Sequence, residues 1–328
     1  MRQIPRRLFL LGATALCAAR SLQALAQPPQ LAKVGFLFTP SRATSQVPDL
    51  FSSAMRDIGW VEGRNLVMEW RFADGQQDRL PELAMQLVQQ RVQVIVAPTN
   101  LEAESARRAT DSIPIVTLFA IDPVGSGFAK SLARPGGNIT GILYADPEFT
   151  AKSMQILKEA VPTIRRFGYL YPSGMVGIQN FIEAMEAAAS ALRLAFYRYP
   201  IERPEQIAAV LDAMKKDGVD ALRVSYVGPV QAVTAQLLQF SASNRIATSF
   251  TVPTAVERGG FMSYSPKLSD NAARAAASVD KLLKHALPAE LPFEYPTLYE
   301  LVVNLKTAKQ LGISVPQSIL LRADRLIE

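Results

Sequence analysis

The strongest constraint in this sequence is an alternation. Short, almost unbroken apolar runs are each followed by a stretch whose apolar residues recur at helical spacing. The runs are Lys33–Phe38, Asn65–Phe72, Val92–Ala97, Ile113–Ile121 and Asn138–Tyr144. Between them, Leu50, Phe51, Ala54, Met55 and Ile58 share one helical face. Leu80, Leu83, Ala84, Leu87 and Val88 share another, and residues 101–110 read as a third helix. A strand that is apolar on both faces must be covered on both, which a parallel sheet between two helical layers does. The pattern then restarts. Helices are expected over 149–161, 178–192 and 230–243, with strands at Arg166–Pro172, Leu194–Pro200, Val219–Tyr226, Arg245–Phe250 and Gly259–Tyr264.

The fold class expected is therefore α/β, with two doubly wound parallel-sheet lobes. Helix 268–285 is expected to pack on lobe 1. The proline-rich Leu287–Pro296 then reads as an extended crossing that returns the tail to lobe 2. Lobe 1 would comprise 31–145 plus about 263–292, and lobe 2 about 146–262 plus 293–328. Three segments would link them, near 145, 260 and 293.

The first 26 residues are of another kind. Arg2, Arg6 and Arg7 precede an apolar run from Leu8 to Ala19, which closes on Ala24-Leu25-Ala26. This reads as an export signal, and Arg6-Arg7 before Leu8-Phe9-Leu10 fits a twin-arginine leader. Leu16 stands where a lipoprotein signal needs a small residue before Cys17, so a soluble exported, periplasmic protein is expected. Removing this leader with its four arginines takes the formal charge from +6 to +2. The basicity is thus mostly targeting and gives no nucleic-acid footprint. The mature chain has no cysteine and the sequence one histidine, His285 at a helix end. No metal or cofactor is expected: cysteine-based zinc sites, a Ser-His-Asp triad and a phosphate-cradling P-loop all lack their residues. Gly125-Ser126-Gly127 with Asp146 imitates half of a dinucleotide fingerprint, but Lys130 stands where the third glycine belongs.

In a doubly wound sheet, ligands bind beyond the C-terminal strand ends. Such ends offer Ser41, Thr99, Asn100 and Asp122 in lobe 1, and Tyr171, Ser173, Ser225, Tyr226 and Phe250 in lobe 2. Tyr144 and Tyr264 stand beside the crossings. Thr99 and Asn100 begin a helix, where free N–H groups favour a carboxylate or simply receive a cap. Pro123 stiffens the loop that holds Asp122, which either accepts hydrogen bonds from a ligand amine or caps the turn after it. The aromatic rings suit an apolar or planar ligand body.

Several longer motifs resemble one family. They are "GWVEGRNLVMEWRFADGQQDRLPELAMQLV", "IPIV", "DPVGSGFAKSLARPGGNITG", "GGFMSY", "YELVVNLKTAKQLGI" and "RADRLIE". Together they resemble the substrate-binding proteins of ABC transporters, an uncharacterised type related to tryptophan- and tyrosine-binding components. Pro98-Thr99-Asn100 stands where that family commonly has Gly-Thr-Pro, and Tyr171-Pro172 where Asn-Pro is common. The resemblance implies a type I periplasmic-binding-protein fold and a non-enzymatic, monomeric protein. Such a protein captures a small solute between its lobes and delivers it to a membrane permease. An amino acid or small aromatic carboxylate is the favoured ligand class. An exported ligand sensor, or an enzyme on the same two-lobed body, is the alternative.

Overall fold

The structure is a computed structural model that describes residues 31–175 and 177–328; the leader, residues 1–26, lies outside the described residues. The first lobe contains β1 (Ala32–Phe38), α1 (Val47–Asp57), β2 (Leu66–Phe72), α2 (Leu80–Gln89), β3 (Val94–Val96), α3 (Asn100–Ala109), β4 (Ile115–Ala120) and β5 (Ile139–Leu143). The second runs through α4 (Phe149–Ala160), β6 (Arg166–Pro172), α5 (Ile178–Ala191), β7 (Ala195–Ile201), α6 (Ile207–Asp217) and β8 (Ala221–Val224). It continues with α7 (Pro229–Ala232), α8 (Thr234–Asn244), β9 (Ala247–Phe250), α9 (Pro253–Glu257) and β10 (Met262–Pro266). After these come α10 (Leu268–Leu283), β11 (Tyr299–Asn304), α11 (Leu305–Leu311), α12 (Gln317–Leu320) and β12 (Arg325–Ile327).

Two separate sheets result. One has five parallel strands in the order β2-β1-β3-β4-β5. The other has seven, ordered β12-β11-β10-β9-β8-β6-β7, and is parallel except where β11 runs against β10. The central strands of each sheet are buried on both faces, which is why they read as continuous apolar runs. In the first, Val34, Phe36, Phe38, Val94, Val96 and Leu118 meet α1 and α10. Leu37, Ile95, Ala97 and Ile115 meet α2 and α3 on the other face. Gly35 admits Leu87 of α2, since a Cβ there would sit 3.0 Å from the leucine methyl. The β1–β2 register stacks Phe36 on Trp70, with centroids 3.9 Å apart, and Phe38 on Phe72 at 5.6 Å. Such cross-strand aromatic pairs add roughly 0.5–1.5 kcal/mol each beyond simple burial and fix the pairing.

In the second sheet, Phe167, Tyr169, Tyr171, Ala221 and Ala247 face α4 and α5. Leu170, Leu222, Val224 and Phe250 face α6 and α8. The helix read as 230–243 is broken at Val233, giving the short α7 and then α8. No helix follows β4; residues 122–131 form a run of turns. The Gly125-Ser126-Gly127 motif therefore lacks the helix N-terminus that a dinucleotide site requires.

The chain passes between lobes three times. Tyr144–Glu148 leads from β5 into α4. Lys267 leads from β10 into α10, which packs against α1 and β4; there Asn271 Nδ2 donates to the Leu118 carbonyl at 2.9 Å. Phe293 still belongs to the first lobe's core, and Glu294 exchanges backbone hydrogen bonds with Gly141 and Leu143 at 3.0 and 2.8 Å. Residues 295–298 then lead back to β11. The crossings are tied to one another. The Tyr299 hydroxyl donates to Asp146 Oδ2 at 2.5 Å, and Phe149, Tyr264 and Tyr299 stack at 5.2–5.5 Å.

Candidate functional site

The C-terminal ends of both sheets' parallel strands face one inter-lobe cleft. On the first lobe, one buried carboxylate organises the rim. Glu102, 3% exposed in the first turn of α3, accepts from Thr39 N at 3.0 Å and Thr39 Oγ1 at 2.6 Å, and from Thr99 N at 3.2 Å. The Thr99 hydroxyl also donates to it. Thr99 thus caps α3 in a capping box with Glu102, and the ends of β1 and β3 are pinned together. Asn100 braces the next strand end: its Nδ2 donates to the Ile121 carbonyl at 2.7 Å and Ser126 Oγ at 3.0 Å, and its Oδ1 accepts from Ile121 N at 2.8 Å. Ser41 begins the 3₁₀ turn Arg42–Thr44 and lies 3.1 Å from the Thr44 hydroxyl.

Asp122 has two roles at once. Its φ of +41° bends the chain sharply after β4. Its Oδ1 accepts from Gly125 N at 2.9 Å, capping the following turn. Its Oδ2 accepts from Asn180 Nδ2 at 2.6 Å, and Asn180 lies on α5 of the other lobe. The lobes meet closely here. Gly177, with φ +80°, approaches so near that a Cβ would stand 2.6 Å from both the Ile121 carbonyl and Ser126 Oγ. A second approach brings Gly228 against Gln77, whose Nε2 lies 2.5 Å from where a Cβ would be.

On the second lobe, Tyr171 is buried and stacks on Tyr169 at 4.8 Å. Burial pushes the Tyr171 phenol upward, against the lowering influence of Arg198. Burial raises Tyr169 as well; Arg223 nearby and a hydrogen bond with Ser225 pull the other way. Ser173 is exposed and Ser225 is buried. Tyr226 is buried, yet its hydroxyl accepts from the exposed Arg258 Nη1 at 3.1 Å. Phe250 is 0% exposed, edge-on to Tyr226, so it supports the rim from behind. Tyr264 belongs to the stack at the crossings; burial raises its phenol, and Asp146 adds to the rise. The Tyr144 hydroxyl accepts from Arg223 Nη2 at 3.0 Å, and burial holds its pKa up despite that cation.

A cavity of ≈ 460 Å³ remains between the lobes, lined by Arg42–Gln46 and Asp49 from one and by Thr254, Glu257 and Arg258 from the other. None of the eleven residues named from the sequence lines it directly. Ser41 starts the turn that forms one wall, and Tyr226 holds the Arg258 side chain that forms part of the opposite wall. Asp49 is paired with Arg42 and Glu257 with Arg325, so Arg258 is the lining charge without a carboxylate among the described residues. Sequence reading missed Glu102, although Thr99-x-x-Glu102 carries the capping-box spacing. It also missed Asn180, Arg223 and Arg258. No grouping of His, Cys, Asp and Glu able to hold a metal occurs among the described residues. No helix among them is long and apolar enough to cross a membrane.

Comparison with known proteins fits this geometry. The family model "ABC transporter substrate binding protein" matches residues 33–327. A tyrosine-binding protein of Clostridioides difficile is 27% identical over 135 residues, 41% of this chain and 39% of that protein's length. Among solved structures, an ABC domain from Streptococcus pneumoniae in complex with L-Trp superposes with a TM-score of 0.82 at 24% identity, covering 91% of this chain and all 100% of that one. A ligand-free, open substrate-binding protein with adhesive properties from Clostridium difficile gives 0.67 at 19% identity, over 90% and 99% of the two chains. These neighbours share the type I periplasmic-binding-protein fold expected from the motifs, and they are solute-binding proteins. With the family model spanning almost all of the described residues, the chain belongs to the ABC transporter substrate-binding proteins.

Proposed function

We propose that this protein is the exported solute-binding component of an ABC importer. It captures an amino acid or a small aromatic carboxylate in the inter-lobe cleft and presents the closed form to a membrane permease. One observation carries the reading: two independently cored lobes, joined by three crossings, touch across the cleft through Asp122 and Asn180, and a polar cavity lined by both lobes remains between them. A contact of this kind can break and re-form as the crossings flex, so a ligand that binds both rims shifts the population toward closure. The leader supports export and a periplasmic location. The tyrosine- and tryptophan-binding relatives support the ligand class. Within this reading Ser41, Ser173, Tyr144, Tyr171 and Tyr226 with Arg258 face or border the ligand. Thr99, Asn100, Asp122, Ser225, Phe250 and Tyr264 hold the rims and crossings in place.

The test is thermal denaturation of the mature chain with L-tyrosine, L-tryptophan, benzoate, a purine and a sugar. A true ligand at a hundred times its Kd adds about 2.7 kcal/mol of stability. A clear rise with an amino acid or aromatic acid, and none with the sugar, is the expected outcome. No rise with any of the five refutes the proposal.

A further inference from the structure

Arg223 is the second lobe's most unusual side chain. It sits in β8 between Leu222 and Val224 and is 2% exposed. Nη1 donates to Ser249 Oγ at 3.3 Å and Nη2 to the Tyr144 hydroxyl at 3.0 Å, while Nε has no partner. The guanidinium carbon lies 5.3 Å from the Phe149 ring centroid. No carboxylate pairs with it among the described residues; all its partners are neutral. A buried cation normally has an anionic partner, because desolvation costs several kcal/mol that hydroxyls and one aromatic face offset only in part.

The position tells where the missing anion comes from. Tyr144, which covers Nη2, is the first residue of the crossing from β5 and is itself only partly buried, although its hydroxyl is enclosed. Val224 ends the strand, and Ser225 follows it at the cleft rim. Nε and Nη2 form one edge of the guanidinium, the edge that receives a carboxylate through two parallel hydrogen bonds. That edge carries nothing but the replaceable phenol. We infer that Arg223 is the anchor for the ligand's carboxylate: the anion displaces the Tyr144 hydroxyl and takes both Nε and Nη2. The ligand is then an acid, and its amide is a poor substitute. This rests on the solute-binding reading above and adds the required charge.

The experiment compares each acid with its neutral amide on the mature protein. L-tryptophan is set against L-tryptophanamide and benzoate against benzamide, by calorimetric titration, with wild type, Arg223→Met and Arg223→Lys. Two charge-assisted bonds predict that wild type binds the acid at least tenfold tighter than the amide. The preference should vanish in Arg223→Met and return in part in Arg223→Lys. In the absence of any probe, Arg223→Met should melt higher than wild type, because an uncompensated buried charge is gone. Equal wild-type affinity for acid and amide overturns the inference and leaves the solute-binding reading standing. Binding of none of the four probes overturns the inference, and the solute-binding reading falls with it only if L-tyrosine, the purine and the sugar also give no thermal shift. A lower melting point for ligand-free Arg223→Met shows a structural cation instead and also overturns the inference.

Discussion

Gly177→Ala places a single methyl group where the two lobes touch. The new Cβ would stand 2.6 Å from the Ile121 carbonyl and from Ser126 Oγ, and 3.3 Å from Asn100 Nδ2. An ordinary carbon contact needs about 3.4 Å or more, so the start of α5 must retreat by roughly 0.8 Å. That retreat carries Asn180 with it. The 2.6 Å bond to Asp122 then opens to about 3.4 Å, outside good hydrogen-bond range. The lost contact is charge-assisted but solvent-facing, worth about 1–2 kcal/mol, or a roughly five- to thirtyfold shift of the closing equilibrium. Alanine at φ +80° also carries about 1–2 kcal/mol of left-handed strain. That strain is the same whether the lobes are open or shut; it lowers the melting point and cancels from the affinity. Calorimetric titration with L-tryptophan, paired with a distance measurement between one spin label on each lobe, separates the two effects. Weaker binding by that factor and a longer inter-lobe distance are expected, and Asn180→Ala should give a similar loss that does not add to the first. A variant that melts lower yet binds as wild type does, at the wild-type distance, refutes the argument that α5 meets the Ile121–Ser126 turn in the ligand-bound form.

Three other outcomes follow from the packing. Glu102→Ala removes the shared acceptor of Thr39 and Thr99 and strands two backbone N–H groups, so urea unfolding should show a loss of about 3 kcal/mol. Phe250→Ala should cost about 3–5 kcal/mol of stability through its cavity, with solute affinity held within a factor of two wherever the protein stays folded. Burial pushes the Asp280 carboxyl up, but hydrogen bonds from Lys284 and from Trp60 Nε1, the latter at 2.8 Å, outweigh it and hold the pKa below the usual aspartate value. Its contribution is therefore complete above the unfolded carboxyl's range and is lost as pH falls through the folded value. Asp280→Asn should melt below wild type at pH 7, by a margin that shrinks below about pH 4; a margin that widens on acidification would contradict this sign.

Much of the architecture was legible because the central strands of both sheets are buried on both faces. Val34, Phe36 and Phe38 alternate with Gly35 and Leu37, and no other arrangement hides both sets. The antiparallel β11 left no comparable sign, since Leu301, Val302 and Val303 read alike in either direction. The cleft was less legible for a different reason. Thr99, Asn100 and Asp122 were found by their place at strand ends, a local property. For Asp122 the contact depends on the other lobe: nothing near Asn180 in sequence announces it. Arg223 did leave a mark, a lone cation inside "ALRV", where each neighbour is apolar and inaccessible. Glu102 left one too, in its spacing from Thr99.

The route of the backbone has a consequence for how the molecule comes into being. Ala275, Ala276 and Val279 on α10 complete the layer that covers β1, β3 and β4, and Phe293 completes the opposite one. These pieces are synthesised only after β6 to β10 of the second lobe. A growing chain therefore displays one bare, oily side of its earliest strands until translation is almost finished. The N-terminal half cannot mature first and wait for its neighbour; the two must finish together, and a chain stopped short of Phe293 should require a chaperone to stay in solution.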